Sequence, residues 1–278
     1  MTSVLGGIGT ALIFTTATVC ASRSTRMIGP PSVLSWVMLV GLVILGPIVA
    51  ASGIPPHLQA GSFVLLAVAG VTNVLGLLLA YRALRIGKVG VVAPVLSTQG
   101  AVAALIAVAA GESIAPGAAA ALGVVAAGVF LTAATRDDQP GQPAALAFAA
   151  ISALCFGTNL YIIGKLGGQL PVAWVLLPAR ILAVAAVAAP LAAMSRLRIT
   201  RRALPLVVTG GICEVAGFSL FTVSARHGIA VTAVLASSFP ALSALAAYVL
   251  FREKLGRLQI AGAATIVIGV LLLGGLRT

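Results

Sequence analysis

Apolar residues run along this chain in long blocks, and polar residues are confined to the short breaks between them. The blocks lie at about 4–21, 33–51, 61–81, 89–110, 117–134, 144–163, 172–194, 204–225, 229–251 and 258–276. At 1.5 Å per residue, each can cross a hydrocarbon layer about 30 Å thick. The pattern therefore predicts an all-α membrane protein with ten transmembrane helices. Turn-forming breaks separate the blocks, among them Gly29-Pro30-Pro31-Ser32, Arg85-Ile86-Gly87-Lys88, Gly111-Glu112-Ser113 and Arg226-His227-Gly228. No block alternates with period two, as barrel strands do. Glycines at 123, 128, 262 and 269 are expected where helices approach closely.

Composition agrees. Of 278 residues, 60% are apolar and 8% charged, against about 25% charged in an ordinary soluble chain. That excludes a soluble enzyme or a disordered chain. The net charge of +12 is not the footprint of a nucleic-acid binder, because the basic residues sit between apolar blocks rather than on one wet face. They read instead as topology. The odd-numbered connections hold thirteen basic residues: Arg23 and Arg26; Arg82, Arg85 and Lys88; Arg136; Arg196, Arg198, Arg201 and Arg202; Arg252, Lys254 and Arg257. The even connections and the termini hold three. The positive-inside rule then places the odd loops in the cytoplasm and both termini outside. The first block lacks a basic leader, which predicts a retained helix rather than a cleaved signal. Cys20, Cys155 and Cys213 are widely spaced within apolar blocks and read as small buried side chains, with neither a disulfide framework nor a metal site.

Residues 70–112 echo residues 211–253 at an offset of 141. Ten positions are identical, among them Gly76 with Gly217, Arg85 with Arg226, Gly87 with Gly228, Ser97 with Ser238 and Glu112 with Glu253. Five blocks fit in one copy. Because five is odd, the second copy must enter the membrane from the opposite side. The expectation is a 5+5 inverted repeat, with halves at 1–139 and 140–278, which is a transporter architecture.

The first copy reads Tyr81 to Pro94 and continues to Gly111-Glu112; the second reads Ala225-Arg226-His227-Gly228, Ser238-Phe239-Pro240 and Phe251-Arg252-Glu253-Lys254-Leu255. With its ten blocks, the chain resembles the drug/metabolite transporter superfamily of the EamA type. The resemblance implies that the first four helices of each half surround a central cavity, with the fifth outside. It also implies a small-metabolite substrate and export as the direction. The chain departs from the family in two places. Residues 52–59 carry no Lys or Arg, whereas relatives imply a basic connection there and cytoplasmic termini. Glu112 also lacks its usual basic neighbour.

A charge at mid-bilayer costs about 2.5–3.5 kcal/mol on insertion scales. Arg180 in block 7 and Glu214 in block 8 incur that cost. Counted from their shared end they differ by about 4.5 Å in height, so a direct pair is feasible. Arg180 reads as a site for a substrate carboxylate and Glu214 as a proton or amine site; a neutralising pair that fixes packing is the alternative. Asn73 occupies the repeat position of Glu214. Gln99 and Ser238 lie at mid-block and complete the candidate substrate-binding set. Pro94 and Pro240 free backbone carbonyls in their helices. Asn159 and Tyr161 read as an interfacial pair or a gate, and Trp36 and Trp174 as interface anchors.

No nucleophile elbow, zinc-helix or P-loop pattern occurs, so the reading is not an enzyme, and it requires no cofactor. The expected protein is a secondary transporter, with any proton coupling through Glu214, working as a monomer or homodimer among membrane lipids. A non-transporting membrane scaffold or lipid-binding protein is the alternative. Fourteen Arg against three Lys suggest a bacterial cytoplasmic membrane.

Overall fold

A computed structural model describes residues 2–55, 58–87, 92, 95–113, 115–133 and 142–239, with single positions beyond. These residues form α1 (Thr2–Ile28), α2 (Pro30–Ser52), α3 (Ala60–Ile86), α4 (Gln99–Ala109), α5 (Pro116–Ala133), α6 (Gln142–Gly167), α7 (Val172–Ala193), α8 (Leu204–Ala225) and α9 (Ile229–Ala236). Among the described residues there is no strand, and six helices are long and apolar enough to cross a membrane: α1, α2, α3, α6, α7 and α8. The later part of the expected ninth block and much of the tenth lie outside the described residues, as do Pro94, Pro240 and Glu253.

The threonines along α1 need no water. Thr10, Thr15, Thr18 and Thr25 each donate their hydroxyl to the carbonyl four residues earlier, which is how hydroxyls are carried through lipid. One residue, Gly29, joins α1 to α2. Its φ of +84° is open to glycine, and Pro30 then starts α2 where no amide donor is needed. α7 is broken: Val184–Ala188 form a π turn, and Ala189 donates to the Val184 carbonyl. Pro190 follows and cannot donate to Ala186, so the wider turn absorbs the lost bond.

Packing is reciprocal. α1 lies against α8, and α3 against α6. α9 contacts α1, and α4 contacts α6. α2 touches α8, and α7 touches α3; α2 meets α7, and α4 meets α9. Gly217 lies under Phe14 of α1, where an added Cβ would stand 2.6 Å from the ring; Gly76 lies under Phe156 of α6, at 3.1 Å. Gly100 meets Ser237 and the Ala233 carbonyl, and Gly157 meets Val102. The expectation for Gly123 is corrected: its Cβ position faces open space.

The two tryptophans do more than sit at an interface. Trp174, at the start of α7, donates to the Gly53 carbonyl (3.1 Å) and the Ser52 hydroxyl (3.2 Å) at the end of α2. Trp36, near the start of α2, donates to the Arg198 carbonyl (3.0 Å) in the connection after α7. The two helices thus run antiparallel and hold each other's ends.

These contacts sort the helix ends. One end of the bundle gathers the C-termini of α1, α3 and α7 and the N-termini of α6 and α8. Its exposed side chains include Arg23, Arg26, Arg82, Arg85, Arg196, Arg198, Arg201 and Arg202, and Arg26 reaches the Gly87 carbonyl. Among the described residues this arginine end holds no acid. The opposite end carries Lys165, Arg226, His227 and Glu112. Leu5, Val43, Phe63, Leu105 and Leu154 are exposed along the flanks, a display suited to lipid rather than water.

Candidate functional site

Arg180 and Glu214 form a salt bridge between Nη2 and Oε2 at the centre of the bundle. Both are buried, at 1% and 4% exposure, so the pair is one desolvated unit in which loss of either charge strands the other. Neighbours hold Arg180 in place. Its Nη1 donates to the Leu176 carbonyl one turn back (3.1 Å). Gly41 of α2 makes room for the side chain, since a Cβ there would lie 3.1 Å from Nε. Asn73 of α3 is within hydrogen-bonding reach of the Glu214 carboxylate, and Tyr81 adjoins the pair. The Glu214 Oε1 atom has no hydrogen-bond partner.

That carboxylate lies on the wall of a cavity of about 80 Å³, room for roughly five water molecules. The wall draws on α1, α3, α4, α6 and α8. Gln99, Tyr81 and Thr18 supply its other polar groups, and Phe14, Phe156, Phe218 and Phe239 its aromatic ones. Phe14 stands edge-on to Phe218 and Phe239, with centroids 5.1 and 6.4 Å away. Ala21, Leu84 and Gly210 place the cavity in the half of the bundle nearer the arginine end.

Of the five residues expected from the sequence, four gather. Arg180, Glu214 and Asn73 meet directly, and Gln99 shares the cavity wall with Glu214. Ser238 is buried but does not line the cavity, because its hydroxyl donates to the Leu235 carbonyl of its own helix (2.7 Å). Its neighbour Phe239 takes that place on the wall. Asn159 is 1% exposed rather than interfacial, since α6 runs on to Gly167. The aromatic wall and Gly41 were missed. No local signal separates a cavity phenylalanine from a lipid-facing one such as Phe63, but Phe14 and Phe156 do recur 142 residues apart.

A crystal structure of another protein, 18% identical, superposes with a TM-score of 0.75 over 99% of both chains; at that identity the likeness establishes a common fold. No curated protein matches the sequence. The sequence profile of the EamA-like transporter family matches twice, over residues 1–134 and 143–275. With nearly every residue covered by those two matches, the chain belongs to the EamA-like transporter family.

Proposed function

We propose that the protein is a secondary transporter that exports a small metabolite, such as an amino acid, by alternating access. The observation that carries this reading is the buried Arg180–Glu214 pair, whose Glu214 lies on the wall of a cavity lined from α1, α3, α4, α6 and α8. An intramembrane ion pair there has an unpartnered acceptor, Glu214 Oε1, for the amine or hydroxyl of a substrate. Arg180 is poised to take a carboxylate when the pair opens. The aromatic wall suits the apolar body of an amphipathic molecule.

The reading includes ten helices in a 5+5 inverted repeat, divided at 139/140. The reciprocal pairing of helices, the matched glycine–phenylalanine contacts and the two tryptophan clasps support it. So does a family match that falls once on each half. The loop-charge rule puts the arginine end in the cytoplasm, here of a bacterial inner membrane, and both termini outside. The cavity then lies on the loading side for export. The opposite end is held by contacts between halves, among them Glu112 Oε1 accepting from the Ala230 amide (3.2 Å). Any proton coupling runs through Glu214. The carrier acts as a monomer or a homodimer.

The test is flux of a labelled amino-acid and metabolite panel in proteoliposomes, with and without a proton gradient. Saturable flux of at least one compound that Glu214→Gln abolishes, at normal insertion, is the expected result. No flux for any compound, with a dry centre by cysteine accessibility, overturns the reading in favour of a membrane scaffold.

A further inference from the structure

A second, smaller cavity of about 10 Å³, the space of a single water, lies beside the ion pair. Asn73, Asn159 and Arg180 supply its polar wall. Its other lining residues include Ile163 in the later part of α6 and Val175 in the first turns of α7. Both segments point to the end away from the arginines. The large cavity lies on one side of the Arg180–Glu214 pair, and this chamber on the other. Phe218 belongs to both walls.

The chamber is polar where an apolar core would be expected. The Oδ1 atoms of Asn73 and Asn159 have no hydrogen-bond partner, though the residues are 2% and 1% exposed. A buried acceptor without a donor is costly, more so where no water competes. Asn73 links the two spaces. Its carboxamide is in reach of Glu214, and it also lines the chamber. A donor group leaving Glu214 Oε1 toward the opposite end would next meet Asn73 Oδ1 and Asn159 Oδ1.

We propose that this chamber continues the substrate path beyond the ion pair, that Asn73 and Asn159 receive the hydrogen-bond-donating head of the cargo there, and that Phe218 with the pair is the partition between the two spaces. The proposal rests on the carrier reading above and adds its route and its gate residue. Ligands of this chemistry carry an ammonium, amide or hydroxyl donor that the two unpartnered Oδ1 atoms can accept.

The experiment uses the full chain with Cys20, Cys155 and Cys213 replaced by Ala and with Asn159→Cys added. Labelling by 2-aminoethyl methanethiosulfonate is followed in vesicles of either orientation, with and without Phe218→Ala. From the arginine end, Phe218→Ala is expected to speed labelling about tenfold, equivalent to about 1.4 kcal/mol off the access barrier. Phe218→Leu, a smaller cut, should give a smaller increase and serves if the alanine variant fails to insert. An unchanged rate in both overturns the proposal and makes the chamber a sealed packing defect. Flux of the parent protein separates the two readings. Flux with unchanged labelling removes this route alone, whereas faster labelling with no flux joins the chambers and removes the carrier.

Discussion

α3 and α8 are built alike and charged differently. Gly76 and Gly217, 141 residues apart, each lie beneath a phenylalanine, Gly76 under Phe156 of α6 and Gly217 under Phe14 of α1. Three residues before each, α3 carries Asn73 and α8 carries Glu214. The close approach of two backbones requires a small residue under a ring, and that requirement recurs at both glycines. The charge is not duplicated, because Arg180 can neutralise one carboxylate. A second carboxylate at 73 would stand buried without its own cation, at a cost of several kcal/mol. Shape is repeated about the centre, whereas chemistry is assigned to one side.

Breaking the charged side has the largest expected effect. Glu214→Leu strands the Arg180 guanidinium and should cost about 3–5 kcal/mol, read as a fall in the thermal midpoint of the purified protein. Arg180→Met with Glu214→Leu should recover most of that loss while flux stays absent; equal damage in single and double variants would contradict the pairing. Moving the carboxylate across the centre sharpens the comparison next. Asn73→Asp combined with Glu214→Gln restores a counter-ion to Arg180 and should regain about half of the stability lost in Glu214→Gln alone, on the order of 2 kcal/mol. A combined variant no better than the single one would show that position 73 cannot reach Arg180.

The shared skeleton predicts smaller and graded effects. Gly217→Ala puts a methyl 2.6 Å from the Phe14 ring and Gly76→Ala puts one 3.1 Å from Phe156. Overpacking costs about 1–3 kcal/mol, and Gly217→Ala should be the worse of the two by thermal midpoint. The smallest effects fall at the clasps. Trp36→Phe and Trp174→Phe each remove an indole donor and should each cost about 1 kcal/mol. Matched losses in a denaturation series would fit two equivalent clasps, and a silent Trp36→Phe would mark the clasps as unequal.

The sequence exposed features that stand out from a uniform apolar background. Arg180 and Glu214 are conspicuous because charge is scarce inside these blocks, and counting turns was enough to bring them within reach. Gly76 and Gly217 fell in register in the repeat, but what each lies under depends on the partner helix, which no single block reveals. Asn159 read as interfacial because the hydropathy of block 6 fades near 163, while the helix continues to Gly167 on backbone bonds that hydropathy does not register. Trp36 and Trp174 read as interface anchors by residue type. Their indole donors instead found carbonyls at the ends of neighbouring helices, a choice made by tertiary geometry. Ser238 matched Ser97 in the repeat, but its hydroxyl had a nearer acceptor in its own turn.

The π turn at Val184–Ala188 inserts one extra residue into the winding of α7. An α-helix advances about 100° per residue, so the wheel position of every side chain after that turn is displaced by about that angle. Arg180 and the last residues of α7 therefore obey different phases, and a helical-wheel projection drawn through the whole helix assigns one of its two ends to the wrong face. Deleting a single alanine from the turn would bring both segments into one phase and swing the stretch approaching Arg198 away from the Trp36 indole.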